Sequence, residues 1–412
     1  MTETLDGASP ATAPDHPGAA AAPTVAGIRA AIAPVLAELA ATARQREGTR
    51  DHPFPHVRAL AEARLLLIGI AEEDGGAGGT LRDVAEAVIE VARADSNVAQ
   101  ALRASFLTAH QVATRHDLAN RELNLERLWR AELFAGTSNE RTGGASGSVS
   151  ATVRRQGARH VVNGVKYYST GGLYADWFSG TAVDEDGSVV RFTVRTDGEG
   201  VELLDDFDAV GQRLTASGST RLTDAPLAEG GLVRFREQEP PHPWQGSFAQ
   251  LYLTCVEAGI AASARDDAVW FGREKARPIK HSTADRSVDD PYVRHAVGRI
   301  AARAHAARSA VLLAAEALEA VRHVPRVELR AAGAAAAVTV AEAQYVAVES
   351  ALEAAELLFD VGQGSATSRE YALDRHWRNA RTVANHNPRD WKAAVVGGYY
   401  LAAEEPPTSG LF

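Results

Sequence analysis

Between about Phe134 and Gln238 the hydrophobic pattern changes its period, and this change constrains the fold more than any other feature of the chain. Short runs rich in valine and threonine, SVSATVRR, HVVNGVKYYS, WFSGTAVDEDGSVVRFTV and TRLTDAPL, alternate there with turn signals. Asn163-Gly164 and Asp186-Gly187 are dipeptides of the hairpin type. On either side the apolar spacing is helical. Ile28, Ile32, Val35 and Leu36 open the first region, followed by Val57, Leu60, Leu65 to Leu67, and Leu81 to Ala94. The glycine cluster in EEDGGAGG interrupts it, and Thr80 or Asp83 is placed to start the next helix. Beyond Pro243 come long helical segments, at about Phe248–Lys275, Pro291–Val321, Leu329–Phe359 and Arg369–Thr382, with a shorter one after Pro388. Their alanine content suits closely packed helices. The chain therefore reads as α+β, with a tail over 1–24, an N-terminal helical domain over 25–133, a compact antiparallel β domain (sandwich or barrel) over 134–240 and a C-terminal helical bundle over 241–412.

At 412 residues, two or three packed regions are expected. A net charge of -10 argues against nucleic acid or an anionic membrane as partner. The Ala/Pro/Thr/Gly-biased N-terminus lacks a basic stretch followed by an apolar core and reads as a disordered tail. Gly333 to Phe359 is the most apolar long run, but Glu342, Glu349, Glu353 and Glu356 interrupt it, so it is expected to pack in a bundle. Cys255 is the sole cysteine, which excludes an intrachain disulfide and a cysteine-built metal site and fits a cytoplasmic location.

Several motifs are missing. There is no GxxxxGK[ST], HExxH or GxSxG, and no GxGxxG after a strand. His52 and His56 have the i,i+4 spacing of helical metal ligands, but Pro53 and Pro55 between them favour loop histidines, and no metal is expected. What remains is a set of polar loops. Tyr167-Tyr168-Ser169-Thr170-Gly171-Gly172 is either a strand with a bulge or a place where a flat ligand approaches the backbone beside hydroxyl donors. Gly136 to Glu140 and Gln212 to Thr220 are two more such loops. Arg273, Lys275, Arg277 and Lys280 either oppose a helix dipole or bind phosphate. Gly362 to Arg369 is either a turn with Thr367 or Ser368 as N-cap, or an anion cradle.

The order of these zones, together with EEDGGAGG, NGVKYYSTGGLYADW, DAVGQRLTASGST, REKARP and FDVGQGSATSREYALDRHWRNARTVANHNPRDWK, resembles the acyl-CoA dehydrogenase superfamily from about Val25 onward. The last segment is similar to its flavin-dependent monooxygenase branch. The resemblance implies an N-terminal helical domain, a central antiparallel β domain and a C-terminal four-helix bundle, assembled as a homotetramer. It places a flavin between the β domain and the bundle. Tyr167, Ser169 and Thr170 would face the ring, with Asn139 and Phe207 nearby. Arg277 and Arg369 would hold the phosphate, one of them from a neighbouring subunit.

The same resemblance locates the carboxylate that a dehydrogenase uses as its base. One position falls on about Asn387, where an amide cannot act as that base. The other falls on Leu253, with Glu257 about one turn away. An oxygenase instead shelters a flavin C4a-hydroperoxide with hydrogen-bond donors and excludes water. His386 is the candidate proton-transfer residue, with Ser169 and Asn139 as donors. A histidine that the branch carries on an N-terminal helix is replaced by Ala104 or Ser105, with His110 about one and a half turns on. The implied cofactor is reduced FMN, with FAD as the alternative, supplied by a separate flavin reductase. O2 and a small apolar molecule are the expected substrates. S-oxygenation of an organosulfur compound leads, followed by aromatic or N-hydroxylation. A dehydrogenase with a relocated base and a catalytically silent binding or assembly protein are the alternatives.

Overall fold

The computed structural model describes residues 22–141, 149–234, 243–408 and 412. The expected tail lies outside these as far as residue 21. Six helices come first: α1 (Val25–Thr49), α2 (Phe54–Glu62), α3 (Leu81–Ala94), α4 (Ser96–Ala101), α5 (Arg103–Thr114) and α6 (Arg121–Trp129). Thr24 caps α1 by accepting from the Gly27 amide. Both expected start signals of α3 act together, because Thr80 and Asp83 each bond the other's backbone amide.

The central sheet comprises β1 (Phe134–Thr137), β2 (Thr152–Gln156), β3 (Arg159–Lys166), β4 (Trp177–Val183), β5 (Val189–Arg195), β6 (Val201–Leu203), β7 (Thr220–Pro226) and β8 (Leu232–Arg234). Its order is β6-β7-β3-β2-β4-β5-β8, with β1 also on β4. It is mixed rather than wholly antiparallel. β1 and the first residue of β2 pair in parallel with β4, and all other pairs are antiparallel. β1 reaches β4 only after the β2–β3 hairpin and the loop that follows, and a crossover of that kind permits parallel pairing. Val153, Val162, Phe178, Val190, Phe192, Val194 and Leu222 fill its core.

One expected hairpin is corrected. Asn163-Gly164 lies inside β3, where the register against β7 shifts, and the β2–β3 turn falls at residues 157–158 instead. The Asn163 side chain holds this bulge by accepting from the Asp224 amide at 2.8 Å. Asp186-Gly187 is a turn, as expected.

The C-terminal region contains α7 (Pro243–Glu274), α8 (Pro291–Ala320), α9 (Leu329–Gly362), α10 (Arg375–Ala384) and α11 (Arg389–Ala402). α7, α8 and α9 pack on one another, α10 crosses α7 and α9, α11 lies on α9, and α3 reaches across to α7. α1 and α9 are long and apolar enough to cross a bilayer by length and composition; α9 is more than half buried between α7 and α8, whereas α1 packs one side on α3 and is mostly exposed. The helix expected from Arg369 begins only at Arg375. Residues 369–371 form a single 3-10 turn, and Ala372 at φ 45° breaks the chain before α10.

Candidate active site

The three polar loops noted in the sequence converge. The Tyr167 amide donates to the Asn139 carbonyl at 3.1 Å, the Ser169 amide to Gly218 at 3.1 Å, and the Gly171 amide to Thr215 at 2.9 Å. Gly171 has φ +83°, and a Cβ there would stand 2.4 Å from the Ala101 carbonyl oxygen, so this loop is pressed against the end of α4. At Gly218 a Cβ would meet the Leu204 carbonyl oxygen at 1.9 Å.

Buried charge and amide contacts fasten the loops. Glu140 accepts from Lys166 Nζ at 2.5 Å and from Ser150 and Ala151, and the side chains of this ion pair are 1% and 0% exposed. Burial alone would raise the Glu140 carboxyl, but Lys166 and the Ser150 and Ala151 donors hold it at about 2. The loop over residues 212–220 is held from the helical side. Asn379 of α10 accepts from the Gln212 amide at 2.6 Å, and Asn97 of α4 accepts from the Leu214 amide at 3.1 Å.

Not every residue expected to face a ligand does so. The Ser169 hydroxyl is buried and accepts from Thr220 Oγ1 at 2.7 Å. Thr170 Oγ1 pairs with Ser217 Oγ at 2.9 Å, which pairs in turn with Thr215. Tyr167 is buried, with the Arg141 guanidinium 3.6 Å from its ring centroid. Tyr168 is the ring that emerges, 53% exposed at φ 59° and edge-on to the mostly buried Phe207 at 6.3 Å. A bulky residue at positive φ is uncommon enough to mark a functional turn. Asn139 is exposed and contributes its carbonyl. The resemblance has Tyr167 facing the ring, whereas the turn after β3 buries Tyr167 and turns Tyr168 outward.

The second wall is the turn between α10 and α11. The His386 amide donates to the Val383 carbonyl at 2.9 Å, closing α10. Asn387 is buried and donates to Gln250 Oε1 of α7 at 2.8 Å, which ties the turn across the bundle. His386 keeps exposed surface although protein crowds its ring. This crowding, reinforced by the charge of Arg103, lowers its pKa to about 3, so the ring is neutral at ordinary pH. The neutral imidazole of His386 can both donate and accept a hydrogen bond. Among the described residues it makes no hydrogen bond to Ser169 or Asn139.

Arg103, the first residue of α5, joins these walls. It follows Ala101, which Gly171 touches, and its Nη2 lies 3.4 Å from the Ala249 carbonyl of α7. A signal was present in the sequence, since Arg103 is the one aspartate, glutamate, lysine or arginine between Asp95 and Arg115, a stretch whose one histidine is His110. Ser105 is structural: its hydroxyl bonds the Phe134 amide at 2.8 Å and carbonyl at 3.1 Å. His110 stacks on Phe248 at 3.9 Å, and burial lowers it to about 3.

Arg277 and Arg369 occupy a different corner. Tyr371 packs edge-on against Phe271 at 5.1 Å, bringing the segment of Arg369 to the C-terminal end of α7, and both arginines are exposed there. Gln250 and Lys275 are 25 positions apart, or about 37 Å along a helix. The expected helix N-cap at Thr367 or Ser368 is not formed, because the Thr367 hydroxyl donates back to the Gly364 carbonyl and Ser368 has no capping bond.

Family models for the acyl-CoA dehydrogenase N-terminal and C-terminal domains match residues 26–116 and 251–391. A dibenzothiophene monooxygenase of Mycolicibacterium goodii is 27% identical over 84% of this chain and 87% of its own. A probable FMNH2-dependent monooxygenase of Pseudomonas putida is 26% identical over 97% and 99%. The fold matches that of FMN-bound TdsC from Paenibacillus sp. A11-2, with a TM-score of 0.82, 24% identity and coverage of 93% and 100%. The chain belongs to the acyl-CoA dehydrogenase superfamily, in its flavin-dependent monooxygenase branch.

Proposed function

We propose that the protein takes reduced FMN from a separate flavin reductase and uses O2 to oxygenate a small organic molecule, with an organosulfur compound as the leading substrate class. The observation that carries this reading is the chemistry at the two positions where a dehydrogenase keeps its base. Leu253 is buried and apolar, and the Asn387 amide is engaged with Gln250. Glu257 is no substitute. Both of its oxygens are buried without partners among the described residues, and burial raises its carboxyl well above the usual range, so it stays neutral. The relatives' names favour FMN over FAD.

The residues fit a flavin. The backbone around Gly171, the exposed Tyr168 and the Thr170–Ser217 hydroxyl pair offer a surface for a flat ring. When bound, reduced FMN supplies the electrons that activate O2. The chain's own residues then position and exclude: His386 presents a neutral imidazole to the cleft, and the buried Asn387–Gln250 bond keeps that wall shut. Arg277 and Arg369 are too far along α7 to reach the phosphate of a ring held beside Arg103 in the same protomer. They therefore serve a neighbouring copy, in a homotetramer. The buried Cys255 and the need for a reductase fit a cytoplasmic location.

The test supplies purified protein with reductase, FMN and 18O2, and follows dibenzothiophene and aryl sulfinates by mass spectrometry. Incorporation of one 18O atom is expected. Tightly held FAD that bleaches with an acyl-CoA, without oxygen incorporation, would overturn the assignment.

A further inference from the structure

Arg103 lies between the Gly171 loop and the His386 turn and has no acidic partner among the described residues. Its Nε is buried and unbonded there, and its one hydrogen bond among these residues is the long 3.4 Å contact to the Ala249 carbonyl. The groups that face it are the Tyr252 phenol, whose hydroxyl is committed to the Ala99 carbonyl at 2.6 Å, and the His386 ring. Most arginines of this chain with a folded environment are paired: Arg46 with Asp95, Arg375 with Asp267, Arg378 with Glu47. Guanidinium groups taken out of water are ordinarily matched to an anion. Arg103 is matched to none among the described residues, yet it keeps partial exposure and lies close enough to His386 for its charge to act on that ring. Burial lowers its pKa only to about 10, so it remains a cation at neutral pH.

We propose that Arg103 is a specificity-determining residue that receives a compact oxyanion head group, a sulfinate or carboxylate, so that the substrate is an organic acid rather than a wholly apolar molecule. The planar guanidinium fork suits two oxygens of one head group. Phe106 and Tyr252, with ring centroids 5.4 Å apart, are a buried aromatic pair, and Tyr252 neighbours the guanidinium. The inference rests on the cleft being the substrate site of the proposed monooxygenase, and it replaces the expectation of a small apolar substrate.

Binding without turnover separates the two claims. The full-length protein, with and without oxidised FMN, is titrated calorimetrically with benzenesulfinate and with the neutral methyl phenyl sulfone. Benzenesulfinate is expected to bind at least about 10-fold more tightly. Arg103→Met should remove that preference, and Arg103→Lys should keep part of it because the charge survives without the fork. Both variants should melt no lower than the parent, since an unpaired buried charge is lost or preserved, not created. A second readout is the His386 ring: bound anion should raise its titration, and Arg103→Met should abolish that rise. Equal affinity for the two probes, or an anion preference unchanged in Arg103→Met, overturns the inference. Failure to bind FMN while the sulfinate preference persists would instead refute the flavin reading and leave the anion site standing.

Discussion

Replacing Asp267 by Asn tests how the cleft wall bearing His386 is held. Asp267, on α7, accepts from Arg375 at 2.5 Å and from His376 at 2.8 Å, both on α10, and from Arg44 of α1 at 2.8 Å. Burial alone would raise its carboxyl, but the guanidinium of Arg375, with His376 and Arg44, holds it far below the ordinary carboxylate range. Arg44 is one-third exposed, so its share is small, at most about 1 kcal/mol. Arg375 is almost wholly buried, and neutralising its partner leaves a charge in the interior, at a cost of about 3–5 kcal/mol. Asparagine retains one acceptor oxygen, which places the expected loss near the lower end, at about 3 kcal/mol. The assay is urea unfolding followed by circular dichroism at fixed protein concentration, carried through a double-mutant cycle with Arg375→Met. Removing both partners should recover much of the loss, giving a coupling of about 2 kcal/mol or more. A coupling below about 0.5 kcal/mol would falsify the claim that this pair, rather than apolar packing, fastens α10.

Acid should weaken the fold in a defined window. Burial and the Arg375 charge lower His376 to about 4, below its value of 6.5 in an unfolded chain. A depressed histidine contributes stability that is present above 6.5 and lost as pH falls through about 4, a span worth about 3 kcal/mol. His376→Phe should flatten that part of the pH–stability curve, and an unchanged slope would refute the assignment. Glu140→Gln leaves Lys166 buried without its partner and should lower the melting temperature more than any exposed Glu→Gln change. Parity with Glu122→Gln would count against it. Gly171→Ala, which sets a methyl group against the Ala101 carbonyl at positive φ, should destabilise the protein by about 2 kcal/mol or more and weaken FMN binding, measured by fluorescence quenching. Arg369→Ala should raise the FMN Kd about 10- to 100-fold with the melting temperature unchanged, and an unaltered Kd would remove Arg369 from the site.

The fold was legible wherever one period dominates. The valine-threonine runs located the sheet, and the alanine-rich helices were found to within a few residues except where backbone conformation intervenes. Asn163-Gly164 misled because the same dipeptide serves a turn or a bulge, and only pairing with β7 decides between them. The helix of Arg369 was placed early because nothing in SREYALD marks Ala372 as left-handed. The stretch DRHWRNARTVANHNPRDWK was the richest signal and the most easily misread. Arg375 and His376 fasten α10 to α7, Arg378 bonds Glu47 at 2.6 Å, and Asn379 holds the Gln212 loop. His386, in the turn that follows, is left exposed. Arg103 was overlooked because its meaning lies in the carboxylate it does not meet, which no local pattern records.

The length of α7 has a genetic corollary under the proposed assembly. Each copy carries its own His386 wall near one end of that helix and lends its arginine corner to a neighbour from the other. A His386→Ala copy and an Arg369→Ala copy, each impaired alone at limiting FMN, are then defective in different halves of the shared site. Co-assembled, they should form a fraction of sites with both halves intact, so two impaired alleles expressed together would give more activity than either produces separately.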